Sequence, residues 1–231
     1  MELLAVILGV VVLAAMLVPG VQKAHQKNWR IRCLNNLKEI GTADRLWAGD
    51  HGDLLPAHQT IAKGGWSDLL TNSNAGQYCW TNYAIMASTL GLNPKLLVCP
   101  ADERRPATNF ATDFKDNTHL SYFVGVNAND IYPQSIAGGD RNLGPGAVPD
   151  PNYGYSPVDG FGNDVLINGP VCWSLKMHSH GNPAGAGNIL LGDGSGQQVS
   201  SGSFNANWLR MAGLGTNFSG TNQAGIRLVF P

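Results

Sequence analysis

The chain has 231 residues, enough for one sizeable domain with its own core. With 15 basic against 16 acidic residues and 43% hydrophobic residues, it is neither a highly charged nor a disordered chain. The charge is uneven: Lys23, Lys27, Arg30, Arg32 and Lys38 stand against Glu2 alone in residues 1–38, and the remainder is acidic. A basic stalk joined to an acidic head can attract the heads of neighbouring copies; a solvated helix face is the plainer account of the same charges.

Leu3 to Val18 is apolar or glycine without exception. As a helix it would be roughly 24 Å long, slightly short for a bilayer. No basic region precedes it and no small-residue cleavage site follows, so a removable secretory signal is not expected. Glu2 at its edge is costly in an apolar setting unless a cation meets it. Pro19 lacks an amide hydrogen, and Gly9 and Gly20 weaken helix further, so a break is expected between Gly9 and Pro19 in an assembled polymer. Beyond Pro19 the helix should resume to about Ala48. Cys33, Leu37, Ile40 and Trp47 then share one apolar face suited to packing on a sheet. The cluster Gly49-Asp50-His51-Gly52-Asp53 should end it, dividing a stalk, 1–53, from a head, 54–231.

In the head, Asn82–Leu90 reads as a short helix and Ser203–Met211 as another. Leu120–Val126, Val171–Leu175, Asn188–Leu191, Gly196–Ser200 and Ile226–Phe230 read as strands, with Asp193-Gly194 as a hairpin turn. Gly144–Gly169, rich in Gly, Pro, Asn and Tyr, reads as a surface excursion whose Tyr153, Tyr155 and Phe161 would serve an interface. The fold class expected is α+β: a long N-terminal helix packed on an antiparallel sheet, with long loops.

Met1-Glu2-Leu3-Leu4-Ala5-Val6-Ile7, the apolar run and then Pro19 resemble the N-terminal helix of type IV pilins and type II secretion pseudopilins. Arg32 to Gly41 resembles the stalk of a bacterial pilin-like group with a His-x9-Asp-Gly signature. Val98-Cys99-Pro100-Ala101-Asp102 resembles its middle motif and Gly187 to Ser195 its Asp-Gly end. The histidine departs: twelve residues separate His180 from Asp193 and fourteen separate His178, a Gly- and Pro-rich insertion. The resemblance implies a type IV pilin-like fold and a prepilin whose short basic leader is cut off, with methylation of the new N-terminal amine. In the family a few residues precede the glutamate; here only Met1 does, so the chain is expected to begin about three residues late. The resemblance also implies residence in the bacterial inner membrane as a precursor, then in an extracellular filament or periplasmic pseudopilus. Partners would be identical subunits and a pilus or type II secretion-type assembly machinery. Glu2, Gly9, Pro19 and Gly20 would then be the assembly residues.

No phosphate loop, nucleophile elbow or metalloprotease helix is present, and no basic-aromatic stripe suggests nucleic acid. His178, His180 and Asp193 are the most enzyme-like set, but Asp193-Gly194 is fully explained as a turn, and no enzyme activity is expected. No cofactor is required; calcium, which some pseudopilins carry, would find oxygens on Asp130, Asp140 and Asp193. Four widely spaced cysteines behind a membrane-inserting start point to disulfides outside the cytoplasm, with free buried thiols as the alternative. Of three connectivities, Cys33–Cys99 is favoured, because Cys33 lies on the packing face and Cys99 follows a strand-like Leu96-Leu97-Val98 run. Cys79–Cys172 then follows by elimination. The function expected is a structural filament subunit; an anchored periplasmic ligand-binding protein is the alternative.

Overall fold

A computed structural model describes residues 2–72, 74–129, 131–179, 184–209 and 225–231; for 3–6, 8 and 14–24 it describes the backbone alone. Helix α1 runs Glu2–Asp50 without interruption. Cys33, Leu37, Ile40, Ala43 and Trp47 recur at helical spacing and are all buried. The helix stops at a glycine-assisted turn. Gly52 and Asp53 take positive φ values of 72° and 59°, and the Asp53 N–H donates back to the Ala48 carbonyl.

Short 3₁₀ turns and α2 (Cys79–Ile85) fill the stretch between α1 and the strands. The main sheet comprises β1 (Tyr122–Gly125), β2 (Ile136–Asp140), β4 (Asn163–Ile167), β6 (Gly187–Leu191), β7 (Gly196–Val199) and β8 (Ile226–Phe230). Its spatial order is β4-β8-β1-β2-β6-β7, and every neighbouring pair is antiparallel. A second, two-stranded sheet pairs β3 (Leu143–Pro145) with β5 (Val171–Trp173). A short α3 (Ser201–Phe204) follows β7.

The central strands are buried on both faces, so alternate residues feed two cores. Tyr122, Val124, Leu190 and Val229 join the core under α1 and α2. Phe123, Ile189, Leu191, Leu228 and Phe230 join the opposite core, closed by Trp173, Phe204 and Trp208. A helical layer therefore covers one side of the sheet, and the β3–β5 ribbon with α3 covers the other.

The expected type IV pilin-like fold, built on an apolar N-terminal span, is corrected here. Among the described residues no helix is long and apolar enough to cross a membrane. What the described residues form is an α+β fold with a six-stranded antiparallel sheet, on which the long helix α1 packs through its C-terminal part. Three further readings are corrected. The Leu96–Val98 run is not a strand, because Pro94–Leu97 forms a 3₁₀ turn. β2, β3 and β4 were not anticipated. The 144–169 excursion supplies β4 to the sheet edge and buries Tyr153, whose ring stacks 3.4 Å from the Arg141 guanidinium carbon. Its tip is exposed at Val148, Val158 and Phe161.

Candidate functional site

The N-terminal arm of α1 carries the predicted assembly residues. Glu2 and Gly9 are exposed, and a side chain added at Gly9 would meet only open space. Ile7, Val10, Val11, Val12 and Leu13 are between 46% and 65% exposed, although all are apolar. The backbone stays helical through Pro19 and Gly20, so the break expected in a polymer is not a feature of the single chain. Met1 lies outside the described residues.

Where the helix meets the head, four elements converge. Arg30 of α1 donates from Nη2 to the Gly187 carbonyl at 2.9 Å, and Arg45 donates from Nη1 to the Asp193 carbonyl at 2.7 Å. The two arginines thus bracket β6. Between them the helix comes so close that a Cβ at Gly41 would lie 2.6 Å from Leu190 Cδ1 and 2.9 Å from the Gly194 carbonyl oxygen. Burial lowers the pKa of the Arg30 guanidinium, an effect that the negative charge of Asp140 opposes.

Cys33 and Cys99 form a disulfide, as expected. Beside it lie Asp140, the last residue of β2, and His178, from the 3₁₀ turn Met177–Ser179. His178 Nε2 is 3.4 Å from Cys99 Sγ and 3.3 Å from Asp140 Oδ2. Asp140 Oδ2 accepts from the backbone N–H of Asn188 at 2.7 Å and from its side-chain amide at 2.9 Å. The expected Cys79–Cys172 bridge is corrected: both thiols are free and buried. Cys79 lies in the core under α2, with its Sγ 3.2 Å from the Val229 carbonyl. Cys172 lies in β5, 3.2 Å from Ser201 Oγ on the other side of the sheet. Burial pushes the Cys79 thiol up, so it stays protonated.

The three oxygen candidates for calcium do not come together. Asp130 lies outside the described residues, as does His180. Asp193 closes the β6–β7 hairpin by accepting from the Ser195 N–H at 2.8 Å, and Gly194 takes φ 80° there. Asp140 contacts the other end of β6, roughly 16 Å away at the rise of a strand. Its neighbours are sulfur and imidazole, which are not calcium's ligands.

Sequence reasoning missed the ion pair made by the last residue of the 98–102 motif. Asp102 and Arg141 are both fully enclosed and bond bidentately, Nε to Oδ2 at 2.7 Å and Nη2 to Oδ1 at 2.9 Å. Burial alone would raise the Asp102 carboxyl, but the hydrogen bonds and charge of Arg141 hold it below the usual range. Arg104 spans four backbone carbonyls, those of Asn117, Leu120, Pro157 and Pro231. The signal available was the density of ions in Asp102-Glu103-Arg104-Arg105 within a chain of low charge.

Comparison with known protein families, curated proteins and solved structures finds no match to this chain. A groove of about 730 Å³ lies between His25, Gln26 and Trp29 of α1 and the head residues Glu103, Leu175 and Lys176. On its head side Lys176 Nζ pairs with Glu103 Oε1 at 2.7 Å.

Proposed function

We propose that the chain is a non-catalytic structural subunit of an extracellular filament, in which copies join through the N-terminal arm of α1 and the heads project outward. The observation that carries this reading is the arm itself. Ile7 and Val10–Leu13 sit on a helix that continues without a break into the head, yet they are exposed in the single chain. A contiguous apolar surface of this kind marks a surface to be covered. Covering it with the same arm of other copies, by a repeated contact that does not close, produces an open helical polymer. The resemblance of Glu2 and the following run to prepilin-type starts supports the reading, as does a disulfide that suits an oxidising compartment. Assembly would rest on a pilus or type II secretion-type machinery.

Glu2 is assigned to charge pairing with a cation of an adjacent copy. At about 4 Å and a low effective dielectric such a pair is worth several kcal/mol before desolvation is deducted. Electron microscopy of cells that make the chain together with a pilus-type assembly machinery should show filaments, and Glu2→Ala should abolish them while the far-ultraviolet circular dichroism of the purified chain is unchanged. Closed oligomers in the wild type, or wild-type assembly by Glu2→Ala, would overturn the proposal. The groove beside Trp29 favours a second reading, a membrane-held ligand-binding protein. That reading requires monomers at concentrations where the first requires filaments.

A further inference from the structure

Cys33, Cys99, Asp140 and His178 each present one donor atom, and these atoms all lie within 4.8 Å of one another. All four side chains are buried, and each comes from a different part of the fold: α1, the segment just after the 3₁₀ turn Pro94–Leu97, the end of β2 and the turn between β5 and β6. We propose that this nest is a site for one zinc-class divalent cation, gated by its own disulfide. In the oxidised chain the Cys33–Cys99 bond ties α1 to the segment at Cys99; in the reduced chain a cation bound by both thiolates, His178 Nε2 and the Asp140 carboxylate ties all four elements together.

The geometry fits a closed tetrahedral site. Ligand bonds of about 2.0 Å to nitrogen and oxygen and 2.3 Å to sulfur place neighbouring donors roughly 3.3–3.8 Å apart. His178 Nε2 already stands 3.3 Å from Asp140 Oδ2 and 3.4 Å from Cys99 Sγ. The two sulfurs have to part, which reduction allows, and the remaining donor pairs, all within 4.8 Å, have at most about 1 Å to close. The donor set of two sulfurs, one imidazole and one carboxylate is that of zinc and its neighbours rather than of calcium or magnesium.

The surroundings fit an anionic sulfur pair. The Ala101 N–H donates to Cys99 Sγ at 3.4 Å, and the Tyr122 hydroxyl donates to Cys33 Sγ at 3.6 Å. Such bonds gain strength when the acceptor is a thiolate. Asn188 orients the Asp140 carboxylate through two bonds, the outer-shell support that metal ligands need. Asp140 Oδ1 and His178 Nδ1 are buried without a hydrogen-bond partner among the described residues. The site is therefore not self-satisfied as it stands. Two thiolates and one carboxylate around a divalent cation leave one negative charge, next to the Arg30 guanidinium, whose Nε is likewise buried without a partner among the described residues.

The gating step balances with a dithiol reductant. The dithiol gives two electrons and two protons, its own S–S bond forms, and the Cys33–Cys99 bond breaks to two thiols. The cation then displaces both thiol protons to solvent. Because the disulfide is buried, exchange would occur on the unfolded or newly made chain rather than on the folded one.

The test uses the full chain carrying Cys79→Ala and Cys172→Ala, so that only the proposed sulfurs remain. The chain is unfolded, reduced with dithiothreitol, freed of reductant without air, and refolded with cobalt(II) or zinc. One cobalt per chain is expected, with the thiolate charge-transfer band and the intense visible bands of a tetrahedral ion. The oxidised chain should show neither. Asp140→Asn and His178→Gln, chosen to keep shape, should each weaken zinc binding by at least about 100-fold, the upper end of what loss of even an outer-shell partner costs. A reduced chain that folds only when zinc is supplied also supports the site. A reduced chain that folds and takes up no cobalt, one that fails to fold with or without metal, or a cobalt spectrum untouched by both substitutions would overturn it.

Discussion

Asp44 lies on the packed face of α1, where burial raises its pKa to about 7 from an unperturbed 3.8. Below pH 4 the carboxyl is protonated whether the chain is folded or not, and its burial costs little. Between pH 4 and 7 the unfolded chain ionises while the folded chain holds its proton, so stability is lost as pH rises and levels off above 7. At about 1.4 kcal/mol per unit, the loss is on the order of a few kcal/mol. Asp44→Asn should therefore stabilise the protein at pH 8 and leave it nearly unchanged at pH 4, as read by urea unfolding at the two values. Asp102 behaves in the opposite sense. Its carboxyl is held below the usual range by Arg141, so its contribution is present above about pH 4 and fades as pH falls further. Asp102→Ala strands a buried guanidinium and should cost about 3–5 kcal/mol at neutral pH. The gap between variant and wild type should narrow in acid.

At the scale of elements, the seam between α1 and the β6–β7 hairpin sets the architecture. Gly41 is where the helix comes closest, and the obstructing atoms include the backbone carbonyl of Gly194, which cannot rotate away. Gly41→Val should destabilise by about 1–3 kcal/mol through overpacking. Faster hydrogen exchange in 187–199 would place the damage at this seam. The seam was half legible from sequence. Cys33, Leu37, Ile40 and Trp47 announced the helix face by their spacing, and Asp193-Gly194 announced the turn. β2 was not legible, because Ala137-Gly138-Gly139-Asp140 has the composition of a loop. The glycines are there for contact. A Cβ at Gly139 would lie 2.6 Å from Phe123 Cζ, and one at Gly138 would lie 2.9 Å from the Phe123 carbonyl oxygen. The candidate site shows the same limit. Cys33–Cys99 was favoured among three connectivities on the helix face of Cys33 and on a strand reading of Leu96–Val98, where the structure has the 3₁₀ turn Pro94–Leu97, and both His178 and Asp140 stood out as chemical residues. Distance along the chain linked His178 to Asp193, whereas the sheet order delivers it to Asp140, at the far end of β6.

On the scale of the whole molecule, α1 is both the projecting arm and one wall of the head, and a single covalent link ties the two roles together. Cys33 and Cys99 are separated by 66 positions in sequence. If the chain is pulled by its N-terminal arm against its C-terminal strand, tension leaves the helix at Cys33 and enters the head at Cys99. The segment between them, including the rest of α1, α2 and the 3₁₀ turns, is shielded from the load. What bears it is the part from Cys99 onward, ending in β8, which is held on both sides by β1 and β4. Stretching single oxidised molecules should then release a contour that omits this segment. Reduction should lengthen the release by up to about 220–240 Å, the extended span of 66 residues. Equal lengths in the two states would mean that the bond carries no tension. In a polymer held by its arms, the bond would act as a mechanical bypass, letting strain applied along the fibre reach β8 without peeling the rest of the helix from the sheet.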